Sequence, residues 1–390
     1  MKLIRIENVK PGMILGMPLR DENENILLNQ GVKLTSRYIE RLKELGFQSV
    51  YIGGDPDTDD IIVEDIISEK RRSLGRKILK KAYRLTEKAI KDFRYESIET
   101  IKKNIESPKF KKVFSQIPIF REVQSIIGEM VDEILSSETL TGLNSLKTHD
   151  NYTYNHSIDV AITSLLIGKR LRMDYKKLED LAVGCMLHDI GKIFIDNKIL
   201  NKPGKLTAEE YNRIKEHPTL GYLLLREKGK ILSNHVAYQH HERQDGTGYP
   251  RGLKGTNKIE RDASDSEITI FGEIAAIADI HDAMISDRVY RKGLMPDEVV
   301  RILKNLSGIH LNREILEKFL EIVPVYPLTT RVLILNGRYK NYEAIVSKTN
   351  NKNLSRPVIR ILYNDKKERI EPFELDLMID LDIKIKSIPS

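Results

Sequence analysis

Nine histidines occur in the chain, and five of them sit in local contexts that suit metal ligation. His156 opens NHSIDVAITSLL, with Ile158, Ala161, Ile162 and Leu165 as an apolar face behind it. His188 and Asp189 lie in GCMLHDIGKIFI, where an apolar run meets a glycine and then Lys192. His217 stands in KEHPTLGYLLL, ahead of a proline that suits the first turn of a helix. His240 and His241 are adjacent in YQHHERQDGTGYP, and Asp279 closes the apolar run IFGEIAAIAD. Imidazole and carboxylate together suit first-row divalent ions such as Fe, Mn, Zn or Ni. A carboxylate between two such ions can bridge them, and Asp189 beside His188 is placed to do so. A pair of ions can hold a hydroxide at neutral pH and clamp the attacking and leaving oxygens of a phosphodiester displacement. Singly, each residue is weak: a lone buried histidine is more often a hydrogen-bonded core residue, an HD dipeptide recurs by chance, and His-His could be an exposed helix pair. The weight lies in the set and its order.

The elements that must position these residues are mainly helical. Residues 1–54 read as a small β-rich unit: LIRIENV, GMILGMPL and NILLNQG are short apolar pieces between turn residues, followed by the helical TSRYIERLKELG and the strand-like FQSVYIG. Residues 55–136 read as a charged helical connector, interrupted at Pro108 and Pro118, packed and able to carry a homodimer contact but lacking a sustained heptad. Residues 137–322 are helical and hold the five histidines. Residues 323–390 turn to short alternating segments such as TRVLILNG and PVIRILYND, a small β domain.

Composition narrows the class. The hydrophobic fraction is 40% and the charged fraction 31%, values of a globular chain. No run of about 20 apolar residues could span a bilayer, and MKLIRIENVKPGM lacks the apolar core of a secretory signal. The lone cysteine, Cys185, excludes an intramolecular disulfide framework, fits a reducing cytoplasm and reads as a small buried hydrophobe. A net charge of +7 suits an anionic ligand. Lysines and arginines alternate with glutamates, as on solvated helix faces, and tryptophan is absent, so neither a nucleic-acid stripe nor a stacking platform is expected.

HSIDV, HDIGK, KPGKLTAEEYNRIKEHPTLG, HHERQDGTGYP and ADIHDAMISDRVYR, in that order over about residues 145–322, resemble the successive signatures of the HD-GYP family. KPGMIL, LLNQGVKL and LGFQSVYI resemble, more loosely, a small domain that often precedes such units. The resemblance implies a helical HD-type bundle carrying a metal site, flanked by small β domains. It further implies a cytoplasmic phosphodiesterase hydrolysing cyclic di-GMP to pGpG, with GMP as a further product, through a hydroxide between two metals. His156, His188, Asp189 and Asp279 would hold one metal, and Asp189 would bridge to a second held by His217, His240 and His241. Lys192 would lie near the scissile phosphate, stabilising its charge or assisting proton transfer. Asp282 would lie near the metal-bound phosphate. Arg288 and Arg291 would contact substrate phosphates, against the plainer reading of ion pairs with Asp287 or Glu298. Gly246, Gly248, Tyr249 and Pro250, in the loop that names the family, would shape the site without supplying a catalytic group. Glu242 would orient a neighbouring histidine.

Two departures stand out. Some family members bind a third metal through a glutamate four residues before the first histidine; here that position is Tyr152, which implies two divalent ions, Fe or Mn. Between Gly255 and Thr269, NKIERDASDSEI is a polar insertion, read as a mobile surface loop or a flap. Two rivals remain at this point: a catalytically weak cyclic di-GMP receptor, and a phosphohydrolase acting on other nucleotides, cyclic GMP-AMP or nucleic acid.

Overall fold

The computed structural model describes residues 1–21, 25–47, 49–63, 66–136, 152–226, 231–261, 267–286 and 293–389. The amino-terminal strands are β1 (Lys2–Arg5), β2 (Ile14–Leu15), β3 (Leu19–Arg20), β4 (Ile26–Leu28) and β5 (Ser49–Gly53), with helix α1 (Ser36–Glu44) before the last. The sheet order is β1-β5-β2, with β3 and β4 as a separate pair. Thr35 caps α1 by accepting from the Tyr38 amide, as Thr-Ser ahead of an amphipathic run predicts. Val9, Leu15, Leu34, Leu42 and Val50 bury a small core between helix and sheet.

Helices then follow almost without interruption: α2 (Glu69–Ile90), α3 (Ile98–Glu106), α4 (Pro108–Ser115), α5 (Ile119–Ser136), α6 (Tyr152–Arg170) and α7 (Tyr175–Met186). After a 3-10 turn at Ile190–Phe194 come α8 (Asn197–Leu200), α9 (Ala208–Lys215), α10 (His217–Arg226), α11 (Ile231–Gln239), α12 (Ile270–Ile285), α13 (Pro296–Leu306) and α14 (Arg313–Leu320). Three of the helix starts have a clear local cause. Ser107 accepts from the Phe110 amide and puts Pro108 at the first position of α4. Thr207 and Glu210 form a reciprocal capping box at α9. Thr269 caps α12. One apolar core runs from Ile66 through Val323, so the helices read from sequence as a connector share their interior with those carrying the histidines.

The carboxy-terminal sheet comprises β6 (Arg331–Ile334), β7 (Glu343–Lys348), β8 (Val358–Tyr363), β9 (Arg369–Asp376) and β10 (Ile385–Ser387), ordered β10-β6-β7-β8-β9 and antiparallel throughout. It meets the stretch that follows the amino-terminal unit. Arg360 donates to both carboxylate oxygens of Asp60 at 2.6 and 2.7 Å, Arg369 pairs with Asp55 at 2.5 Å, and Ile61 packs on Ile345 and Leu362. The architecture is mainly α with a small β unit at each end, as expected. No described helix is long and apolar enough to cross a membrane.

Candidate metal centre

Four separate helix ends deliver the five histidines. His156 sits in the first turns of α6, and His188 and Asp189 follow the carboxy-terminal cap of α7 at Leu187. His217 begins α10, His240 and His241 follow the last turn of α11, and Asp279 and Asp282 lie three apart on one face of α12. Two glycines permit the necessary approach. A Cβ on Gly184 would stand 2.7 Å from the Ser233 carbonyl, so α7 and α11 pack backbone to backbone. A Cβ on Gly191 would stand 2.0 Å from the carbonyl of His217, so only glycine lets the turn after Asp189 reach the start of α10.

The imidazoles are held from behind. The Nδ1–H groups of His188, His217 and His240 donate to the carbonyls of Cys185 at 2.6 Å, Ile214 at 2.7 Å and Val236 at 3.1 Å. With that nitrogen as donor, each Nε2 presents a lone pair to the interior. These Nε2 atoms converge on Asp189, whose two oxygens are divided between them. Oδ2 is 3.3 Å from His188 and 3.8 Å from His156; Oδ1 is 3.3 Å from His217 and 3.8 Å from His240. His156 Nε2 also lies 3.1 Å from Asp279 Oδ1. His217, His240 and His241 offer one compact set of ligand atoms, and His156, His188 and Asp189 another.

Charge and burial favour ligation. Burial would raise the Asp189 carboxyl, but Lys192, His188 and His217 hold it well below the ordinary range, so it is ionised. Asp279 is likewise held down by His156 against the effect of burial. Burial lowers His217, His240 and His241, the last to about 3, with neighbouring imidazoles adding to the effect in the latter two. His156 is the exception: burial opposes it, yet Asp279 and Asp282 raise it to about 9, so positive charge is favoured at that end. Neutral imidazoles around ionised carboxylates are the protonation states that bind divalent cations. His188 Nε2 and Asp189 Oδ1 are buried without a hydrogen-bond partner. A cation in contact with both would relieve that cost, so the donor set fits a metal.

The structure brings together all seven proposed ligands, His156, His188, Asp189, His217, His240, His241 and Asp279. Lys192 reaches Asp189 Oδ2 at 2.6 Å with 31% of its side chain exposed, so its ammonium lies between the centre and solvent. Two acidic residues have partners the sequence did not indicate. Asp282, expected near the metal-bound phosphate, is buried and accepts from His156 Nδ1 at 2.7 Å. Glu242, expected to orient a histidine, accepts from the amides of Arg251 at 2.7 Å and Leu253 at 2.9 Å. It holds the exit of the Gly246–Pro250 loop. In that loop Gly246 has φ +79, a Cβ on Gly248 would stand 2.6 Å from the His241 carbonyl, and the Tyr249 ring stacks on His241 at 4.7 Å. The described part of the polar insertion is anchored to the helices that follow it. Arg261 pairs with buried Glu273 at 2.5 Å, and Gln244 and Asn312 complete that carboxylate's partners. This network was missed from sequence, where the only signal was an acidic residue in the first turn of an apolar helix. Cys185 is a buried thiol near Ser164, its pKa pushed up to about 12 by burial. Arg288 and Arg291, with Asp287, lie outside the described residues.

Residues 129–315 match the HD domain family. Over 244 residues the chain is 32% identical to a cyclic di-GMP phosphodiesterase of Pseudomonas aeruginosa, covering 61% of this chain and 55% of that protein. Over 197 residues it is 40% identical to a cyclic di-GMP phosphodiesterase of Thermotoga maritima, covering 48% and 51%. Over 176 residues it is 35% identical to a 3′3′-cGAMP-specific phosphodiesterase of Vibrio cholerae, covering 45% and 38%. The chain thus spans about half the length, or less, of these relatives.

Proposed function

We propose that the chain, whose residues 129–315 match the HD domain family, is a metal-dependent phosphodiesterase hydrolysing cyclic di-GMP to pGpG, and onward to GMP. One observation carries the reading: a single buried carboxylate, Asp189, has its two oxygens divided between two imidazole groups. In this reading His156, His188, Asp189 and Asp279 hold one divalent ion, and Asp189, His217, His240 and His241 hold the other. Both ions are Fe or Mn, for which imidazole and carboxylate are suitable ligands. When bound, such a pair lowers the pKa of water and neutralises charge on the phosphate oxygens.

The chain's own groups do the rest. Asp282 fixes the tautomer and orientation of His156 through Nδ1. Lys192 meets the phosphate at the open side, screens its charge and supplies a proton to the leaving 3′ oxygen, as the compact ammonium beside Asp189 suits. Glu242 holds Arg251 and Leu253 and keeps the Gly246–Pro250 loop against His241. Arg288 and Arg291 contact the substrate phosphates. We read residues 1–54 and 323–390 as accessory β domains, 55–136 as a helical support and homodimer contact, and 137–322 as the catalytic unit, in a cytoplasmic protein without nucleic-acid partners.

Elemental analysis of anaerobically purified protein, paired with turnover of cyclic di-GMP and of 3′3′-cGAMP, tests this. Two equivalents of Fe or Mn and preferential loss of cyclic di-GMP are expected. Metal-loaded protein that binds cyclic di-GMP without hydrolysing it would make the chain a receptor and overturn the proposal. Preferential hydrolysis of 3′3′-cGAMP would overturn the substrate assignment.

A further inference from the structure

Lys192 stands in the 3-10 turn Ile190–Phe194, and its ammonium reaches Asp189 Oδ2 at 2.6 Å. The last bond within that turn runs from the Ile195 amide to the Lys192 carbonyl, so the carbonyls of Ile193 and Phe194 lie past its end. Both residues are buried, and a buried carbonyl needs a donor. Two guanidinium groups supply one each. Arg94 Nε donates to the Ile193 carbonyl at 2.5 Å, and Arg213 Nη2 donates to the Phe194 carbonyl at 3.1 Å.

Arg94 belongs to the turn after α2, ahead of the residues that match the HD domain family. That segment holds the Lys192 turn at more than one point. The Phe93 ring stacks on the Phe194 ring with centroids 6.4 Å apart. The Arg213 nitrogen that serves Phe194 also reaches the Glu96 carbonyl at 3.4 Å. Glu87 on α2 fixes Arg94 in turn by an ion pair at 2.8 Å, with 18% of the arginine side chain exposed. Gly191, beside Lys192, abuts the His217 carbonyl so closely that no Cβ fits. The backbone of Lys192 is thus set by α10 and by residues 93–96. A lysine's four-carbon stem is flexible, so where its ammonium points depends on that backbone.

We infer that Arg94 is a positioning residue for Lys192: by holding the Ile193 carbonyl it fixes the turn from which that ammonium reaches Asp189 and the substrate phosphate. The inference rests on the role proposed for Lys192 and extends it to a residue outside the family match. It also gives the helical connector a defined point of contact with the site.

The test compares Arg94→Met, Arg94→Lys, Lys192→Met, the double variant Arg94→Met with Lys192→Met, and Arg41→Met as an exposed control, all in the full chain. Steady-state turnover of cyclic di-GMP with Mn(II) gives kcat and KM, and electron paramagnetic resonance gives Mn(II) affinity. Amide exchange across residues 190–195 is read by mass spectrometry on metal-free protein. Arg94→Met is expected to lower kcat about 10-fold or more, as misplacement of a reacting group does. Mn(II) affinity should stay unchanged, and exchange across residues 190–195 should quicken. Arg94→Lys, which keeps a cationic donor, should recover part of the loss. With Lys192 already replaced, Arg94→Met should cost less than about twofold, because two residues acting as a unit are not additive. Arg41→Met should not move. Unchanged kcat or unchanged exchange in Arg94→Met overturns the inference alone. So does an equal loss with and without Lys192, which marks a fold residue, or a fall in Mn(II) affinity in step with kcat. If Lys192→Met keeps full turnover, or the unmodified chain does not hydrolyse cyclic di-GMP, the underlying reading falls and this inference with it.

Discussion

Arg72 on α2 and Asp159 on α6 form an ion pair at 2.5 Å with only 2% and 7% of their side chains exposed. Removing one partner leaves a buried charge uncompensated, which costs about 3–5 kcal/mol, whereas replacing both with apolar groups is often near neutral. Arg72→Met is therefore expected to lower urea stability by about that amount, and Arg72→Met with Asp159→Leu to recover most of it. Equal losses in single and double variants would contradict this account.

Asp189→Ala removes the carboxylate shared by both imidazole groups. Bound metal and turnover should fall further than the roughly 10–100-fold typical of outer-shell changes. Circular dichroism should show the helices intact, since the fold's interior is built elsewhere in the helical core. Near-normal hydrolysis by this variant would falsify the proposed centre.

Asp282→Asn separates two roles for that residue. As the partner of His156 Nδ1, it should weaken metal binding about 10–100-fold with KM for cyclic di-GMP little changed. A raised KM with full metal occupancy would return Asp282 to the substrate.

Glu242→Ala strips a charged acceptor from two amides. Hydrogen bonds to charged groups contribute about 1.5–3 kcal/mol, and each 1.4 kcal/mol is about tenfold in an equilibrium constant. Amide exchange at Arg251 and Leu253 should quicken about tenfold or more, read by mass spectrometry. Exchange unchanged there would mean that the loop is held by other contacts.

Acid should loosen the contact between the two β units. Burial would raise Asp55, but hydrogen bonds from Lys2 and Arg369 lower it from 3.8 to about 2. A depressed carboxylate stabilises the folded state fully above its unfolded pKa, and that contribution disappears as pH falls through the folded value. The loss should therefore develop below pH 3.8 and be complete below about 2. Solvent and salt screening keep it modest. Titration of wild type against Asp55→Asn, followed by the melting temperature, should show the difference between them shrinking over that window.

Much of the candidate site was legible because ligand identity is a local property. His156, the His188-Asp189 pair, His217, His240-His241 and Asp279 each stand in a recognisable local sequence context, and the helix start at His217 announces itself through the proline that follows. Roles that depend on orientation were not legible. The three-residue spacing of Asp279 and Asp282 could have suggested a shared helix face, but not that Asp282 turns to His156. Nothing near Glu242 signals amides nine and eleven residues downstream.

What the sequence by itself determined was the chemistry on offer: a set of imidazoles and carboxylates in one order, on helices whose periodicity and caps are encoded within a few residues. Only the tertiary structure decided how those groups divide. Packing of α7 on α11 and of the Asp189 turn on α10, through close approaches at Gly184 and Gly191, turns one carboxylate oxygen to each imidazole group. It also laid α2, from outside the motifs, against the His156 helix. The physical reason is range. Helix propensity and capping act over about one turn, whereas the field and hydrogen bonding of a buried centre are set by groups brought together from across the chain.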